Sequence, residues 1–289
     1  MNDGSAIPRS RGAALGNLAK TSVLAAVIAA LCAGLGWLLA DTRGAVLFAV
    51  CALLAALGAV WIGDRALLGM LRARPLAEAE APGLRSTVDR IAAQLAVPRP
   101  RISLIDDGFP RAFVVGRGSR SATVVVSRGL LGALPAPELD AVLAHELAHV
   151  RSRDVLTQTS VVLFATTLVE TSRVGGWFSR ALLYVFAPIA AAFTHLLLSQ
   201  RRETAADRVA AAATDPDALA DALLRLDRAG ELVHFEGAPT TEPLYTVNPF
   251  DPSDRLSRMF VTHPRLEERV RRLRALRGVR HEPSRTPGS

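Results

Sequence analysis

Charge, cysteine and lysine are all scarce in this 289-residue chain, and each shortage narrows what the protein can do. Only 21% of the residues are charged, against about 25% in a typical soluble protein. Half are hydrophobic and the mean hydropathy is +0.26, which rules out disorder over most of the length. Cysteine occurs twice, at Cys32 and Cys51, both inside apolar runs. Two such residues make neither a disulfide framework nor a cysteine metal site, so buried structural thiols are expected. Lys20 is the only lysine. The net charge of +7 therefore rests on arginines scattered among 27 acidic residues. A basic, aromatic-interleaved stripe is missing, which argues against nucleic acid as a partner.

Charge is absent altogether from three stretches of 20 residues, 21–40, 44–63 and 181–200. Each has the length of a helix that crosses a bilayer, which argues against a purely soluble protein. The first run is longer than the apolar core of a signal peptide and a second follows at once, so the two read as a membrane hairpin. Arg9, Arg11 and Lys20 precede it, Arg65, Arg72 and Arg74 follow it, and only Arg43 lies in its turn. That asymmetry places both ends of the hairpin in the cytoplasm. The uncharged stretch 155–169 is weaker. It rises only about 22 Å, less than the ~30 Å hydrocarbon core. It also holds Thr157, Gln158, Thr159 and Ser160, and reads as a short or partly protein-covered span.

The resulting layout has a cytoplasmic tail (1–20) and a transmembrane hairpin (21–68). The first part of a water-facing domain (69–154) comes next, then a second membrane hairpin (155–200). The second part of the water-facing domain (201–281) and a frayed tail (282–289) complete the chain. Helical periodicity covers 81–97, and 102–105, 112–115 and 122–126 read as strands. Gly116-Arg117-Gly118-Ser119 supplies the turn between the last two strands. A helix opens at Pro137-Glu138 and runs to about Arg153. Further helices follow Asp215-Pro216-Asp217 and Pro264, and the Pro-, Thr- and Gly-rich segment 237–253 reads as a loop.

Chemistry concentrates in His145-Glu146-Leu147-Ala148-His149. On a helix, positions i and i+4 share a face, so both imidazoles converge on one ion. The glutamate beside the first histidine is placed as general base toward water at that ion. An otherwise apolar turn, Ala141 to Ala144, precedes the motif, where uncoordinated His-Glu-His would be costly. A catalytic zinc site usually has a third protein ligand. The candidates downstream are Asp154, Glu170, His195, Glu203, Asp207, His234 and His263. If 155–169 and 181–200 enter and leave the membrane as a pair, the chain returns to the side that carries His145. Glu203 then completes the ligand set, and Asp207, four residues on, orients a ligand histidine. Ala205 and Ala206 between them permit close helix packing. Taken alone, the same residues also fit a surface salt-bridge helix with Arg201, Arg202 and Arg208.

At these residues the chain resembles the M48 group of membrane-integrated zinc metallopeptidases, and within it the HtpX-like heat-shock proteases. The resemblance covers most of 20–275. It rests on the two N-terminal apolar runs, on His145 through Asp154, on Arg202-Glu203-Thr204-Ala205-Ala206-Asp207, and on Thr262-His263-Pro264-Arg265-Leu266-Glu267-Glu268-Arg269. It implies a mainly helical, zincin-like domain with a small sheet and transmembrane helices. The implied cofactor is one Zn2+ per chain, with Glu203 as third ligand. It brings His263 and Arg269 into the site as candidate catalytic groups, for which stabilising the oxyanion is the natural task. It also implies that the edge of the strand at Ala112, Phe113 and Val114 holds an extended peptide by backbone pairing. Relatives commonly carry Asn-Ala-Phe there. Arg111 stands in place of the asparagine, which suggests a preference for acidic substrate positions.

The expected function is therefore endopeptide hydrolysis by a multi-pass protein of the bacterial inner membrane whose catalytic domain faces the cytoplasm. Its partners would be the lipid bilayer and polypeptides, misfolded or damaged membrane proteins by resemblance. Two rivals compete. An intramembrane protease needs its zinc helix within a span, yet Arg151, Arg153 and Asp154 follow His149 directly. An inactive zinc-stabilised scaffold has no need of Glu146.

Overall fold

The computed structural model describes residues 11–77, 79–173, 179–232, 235, 237–250 and 253–280. Its first element, α1 (Arg11–Met70), is interrupted at Ala40 (φ −153°, ψ 37°) and Asp41 (φ 51°, ψ −145°). Residues eight apart in a straight helix are separated by about 12 Å. Yet a Cβ added to Gly36 would lie 2.2 Å from the Gly44 carbonyl oxygen. The chain therefore folds back on itself at the break, and glycine on both arms permits the close approach. Large apolar side chains stand open on this element, Leu38 at 75% and Trp61 at 68% exposure. Ala25–Leu54, which includes the break, is long and apolar enough to cross a membrane; Leu183–Leu197 qualifies only with Gln200–Ala213, from which it is bent by 47°. Cys32 is half-buried and Cys51 exposed, contrary to the buried thiols expected of them. A helix apolar on all sides buries only the face its partner covers.

Four strands form one mixed sheet in the order β1-β2-β4-β3: β1 (Arg74–Pro75), β2 (Arg101–Ile105), β3 (Ala112–Val115) and β4 (Thr123–Ser127). β2 and β4 run parallel, while β1–β2 and β3–β4 are antiparallel. Alternate residues of a strand face opposite sides, and both sides are covered here. Ala112, Val114, Val124 and Val126 join the main core with Leu143, Leu147 and Leu223. Phe113, Val115 and Val125 join a second core with Leu67, Leu244 and Tyr245.

The remaining elements are helical: α2 (Leu84–Gln94), α3 (Arg128–Ala133), α4 (Ala136–Ser152), α5 (Val155–Arg173), α6 (Ser179–Leu197), α7 (Gln200–Ala213), α8 (Pro216–Leu232), α9 (Arg255–Met259) and α10 (Leu266–Arg280). α2 is shorter than its periodicity suggested, because Gly83 (φ 90°) and Ala96 (φ 52°) turn the chain at either end. α3 adds a short helix to the elements expected from the sequence. Ser127 caps it, its Oγ accepting from Leu130 N at 3.1 Å. Arg225 of α8 grips Glu138 in the first turn of α4 with two bonds of 2.8 and 2.9 Å.

α5 runs beside α6 and is largely protein-covered, and its polar groups are spent on the segment 239–244 and on the end of β3. Gln158 Nε2 donates to Pro243 O at 2.8 Å, Thr166 meets Thr240 at 2.8 Å, and Thr159 Oγ1 accepts from Gly116 N at 3.1 Å. The segment read as a loop is no surface excursion. Pro239–Leu244 forms a 3-10 turn, and Thr240 to Thr246 are buried. Bonds from α5 satisfy part of its backbone and side-chain polarity, which makes that burial tolerable.

Candidate metal centre

α4 presents the His-Glu-Leu-Ala-His motif. Pro137 and Glu138 occupy its first turn, and Ala141 to Ala144 are buried against the sheet and α8. One turn on, His145 and His149 lie on a common face with ring centroids 5.1 Å apart, and both are almost wholly buried. The helix ends at Ser152. Arg153, in the left-handed region at φ 57°, reverses the chain and returns Asp154 to Nδ1 of His149 at 3.2 Å.

α7 crosses this face. Ala206, Ala210 and Ala211 are buried on its inner side and allow close approach, whereas Ala205 faces outward. Glu203 Oε2 lies 3.5 Å from His145 Nε2, and Glu203 Oε1 lies 3.7 Å from His149 Nε2. Ligand atoms of the three residues all fall within 4.8 Å of one another. Glu203 Oε2 is buried with no hydrogen-bond donor. Two imidazole nitrogens and a carboxylate oxygen are the donor set zinc prefers, with room for further ligands. The buried carboxylates around the imidazoles are Glu146, Asp154, Glu203, Asp207 and Glu242, against the guanidiniums of Arg202 and Arg269. A divalent cation would offset that imbalance, so the residues fit such an ion.

Each imidazole is oriented from behind. Asp207 Oδ1 sits 2.9 Å from His145 Nδ1 and is itself clamped by Arg269 through bonds of 2.7 and 2.9 Å. Asp154 serves His149 in the same way, and Arg202 reaches Glu203 Oε1 at 2.9 Å. Burial alone would lower the pKa of His145, but Asp207 and Glu203 beside it raise it to about 9. Burial pushes Glu203 upward, yet His263, His149 and Arg202 hold it well below the usual carboxylate range. Asp207 is likewise depressed, against its burial, by Arg269 and His145. Without metal the site thus balances its carboxylates with imidazole protons, and an incoming ion must displace them. Glu146 behaves differently. Burial raises its pKa, partly offset by the two histidines and by Thr246, whose hydroxyl donates to Oε1 at 2.9 Å.

Four groups gathered here were not assigned these contacts from the sequence: Asp154, Arg202, Glu242 and Thr246. Glu242 and Thr246 carry no motif, since each acts through residues brought near by folding, and Arg202 acts on its neighbour Glu203. Only Asp154, immediately after the metal helix, had a local signal. His263 arrives on the segment before α10, with Nε2 3.3 Å from Glu203 Oε2 and Nδ1 2.9 Å from Glu242 Oε1. Of the other sequence candidates, His195 is exposed and bonds to Met259 O at 2.9 Å, away from the cluster. Glu170 lies toward the far end of α5, and His234 falls outside the described residues.

Two expectations need correction. β3 is the edge strand, but Ala112, Phe113 and Val114 are fully buried rather than exposed. Thr246 covers the edge near Ala112, and Tyr245 meets Phe113 edge-on at 5.8 Å. Arg111 is not free for acidic substrate positions. It is only 8% exposed, pairs with Asp107 and lies over the Phe235 ring at 5.2 Å.

Comparison with known proteins follows the same residues. The model of peptidase family M48 matches residues 78–277. The protein named "Protease HtpX homolog" of Acidiphilium cryptum is 37% identical over 276 residues, covering 89% of this chain and 96% of its own. Its namesake in Syntrophobacter fumaroxidans is 35% identical over 283 residues, with 91% and 100% covered. That of Pyrococcus abyssi is 35% identical over 280 residues, with 91% and 96% covered. Among solved structures, that of S. mikatae Ste24p aligns with 91% of this chain and 66% of its own at 17% identity and a TM-score of 0.49. The matched region opens just after β1 and closes within α10, so every residue of the metal cluster falls inside it, and the chain belongs to peptidase family M48.

Proposed function

We propose that the chain is a zinc-dependent endopeptidase of the cell inner membrane, working from the cytoplasmic face on misfolded or damaged membrane proteins. One observation carries the hydrolytic reading. His145, His149 and Glu203 converge in a buried cluster in which Glu203 Oε2 accepts no hydrogen bond, and Glu146, a carboxylate whose pKa burial raises, sits beside them. A zinc ion held by those three residues supplies Lewis-acid activation of a peptide carbonyl and of water. Glu146 takes the proton of the attacking water and passes it to the leaving amine. Asp207 and Asp154 keep both imidazoles turned inward, and the burial of all these groups strengthens their electrostatics. His263 and Arg269 are the candidate partners of the developing oxyanion. A peptide reaching the edge of β3 must displace Thr246, whose hydroxyl donates to Glu146 at 2.9 Å and lies 3.4 Å from Ala112 O.

The purified full-length protein, assayed on an unfolded polypeptide such as casein, should lose cleavage on chelation and regain it with one equivalent of zinc. Zinc bound without any cleavage would favour the scaffold alternative. Absence of both would remove the metallopeptidase reading.

Sidedness supports a further expectation. His149 and Glu203 share one cluster, so if the segment between them enters a membrane it crosses an even number of times. α5 and α6 have 19 residues each, about 28 Å of helix, slightly short of the ~30 Å hydrocarbon core, so a paired crossing needs the bilayer to thin around them. With Cys32 and Cys51 changed to serine, new cysteines at the exposed positions Ser86 and Ser253 should resist a membrane-impermeant thiol reagent in intact cells. A cysteine at Thr42 should react, as should one at Gly175 if α5 and α6 both cross. Labelling at both Ser86 and Ser253 would put the catalytic half on the outer face instead.

A further inference from the structure

The metal ligands, the base and their orienting acids do not account for every buried carboxylate at the site. Glu242 is completely buried on the turn Pro239–Leu244, and no sequence motif marks it. Its Oε2 accepts from the Thr262 backbone N–H at 3.0 Å and from the Thr262 hydroxyl at 2.8 Å. Its Oε1 faces Nδ1 of His263 at 2.9 Å. A structural tie between this turn and Thr262 could use a hydroxyl or an amide, without the cost of burying a carboxylate. The carboxylate matters to the third partner. An ionised carboxylate only accepts, so the Nδ1 of His263 must carry a proton toward it, which fixes both the tautomer and the rotation of the ring. Nε2 is then held on the opposite edge of the ring, 3.3 Å from Glu203 Oε2. The platform beneath Glu242 is itself fixed, by Gln158 on Pro243 O and by Thr166 on Thr240.

Resting on the metallopeptidase reading, we propose that Glu242 is a positioning residue that holds His263 with Nε2 aimed into the site, at the group that develops charge during peptide hydrolysis. Its action passes through His263 and not through the ligand set. Glu242→Gln should therefore lower kcat about 10–100-fold, the range seen when a partner that orients a site imidazole is lost. KM and zinc content should stay unchanged. In a His263→Ala background the same substitution should have no further effect. A structural tie predicts the opposite, an equal loss in both backgrounds.

A second reading needs no turnover. In the metal-free protein, the Nδ1 proton of His263, assigned by its loss in His263→Ala, should give a slowly exchanging, downfield imidazole resonance in proton–nitrogen spectra. That resonance should move upfield in Glu242→Gln. Glu242→Asp, which keeps the charge and shortens the reach, provides the same two readings if the glutamine variant does not fold. Wild-type kcat in Glu242→Gln, an equal loss in both backgrounds, or a resonance unmoved by the substitution would each overturn the proposal while leaving an active wild type intact. A wild type that cleaves nothing would instead overturn the metallopeptidase reading beneath it.

Discussion

Replacing Glu146 by glutamine is expected to cut peptide hydrolysis by about 10²–10⁴-fold, the usual contribution of a positioned general base, while fold and bound zinc remain. The substitution is close to isosteric, and the side-chain oxygen that accepts from the Thr246 hydroxyl survives in glutamine. What disappears is the capacity to take a proton. Burial raises the pKa of Glu146 toward the range where a base works best at neutral pH, whereas an amide has no basicity there. Metal content by atomic emission, a thermal melt and cleavage of an unfolded polypeptide form the comparison. Full activity in Glu146→Gln would remove the mechanism, and lost zinc would mean that Glu146 helps to hold the ion.

The second large effect concerns the ion. Glu203→Ala should abolish stoichiometric zinc, because it deletes one of three converging ligands and leaves two imidazoles facing a buried gap. Asp207→Asn and Asp154→Asn should each weaken zinc binding by about 10–100-fold without eliminating it, since they loosen the orientation of His145 and His149 but leave both in place. Asparagine is the better test at position 207. Alanine would also strip Arg269 of its buried bidentate partner, and an uncompensated buried charge costs about 3–5 kcal/mol by itself. Equilibrium zinc competition at fixed pH separates the three variants. Unchanged zinc in Glu203→Ala would move the third ligand elsewhere, with His263 the nearest alternative at 3.3 Å from Glu203.

What the sequence by itself determined is what short-range periodicity encodes. Two histidines four residues apart on one helix must share a face, whatever surrounds them. The three strands between 101 and 127, the Gly116–Ser119 turn and the helices α2 and α4 were legible from alternation and from glycine and proline placement, whereas β1 and α3 were not. The fold class, mainly helical with a small sheet, came from the family resemblance. Glu203 and Asp207 were accessible only by adding a topological condition, that the chain returns to the side of His145. Folding decided everything that depends on distant partners. Thr246 meets Glu146 across 100 positions, and Arg269 meets Asp207 across 62. No local pattern marks either pair. The segment 237–253 shows the same limit from the other direction. Its Pro, Thr and Gly content suits a loop, but Thr240 to Thr246 within it become interior, where Gln158 and Thr166 of α5 supply hydrogen bonds. Arg111 looked free until Asp107 and Phe235 enclosed it, and Cys51 looked buried until its helix turned it outward. Composition sets what a residue can tolerate. Whether a group is paired, covered or open is a property of the surfaces that close over it, and only the tertiary structure supplies those.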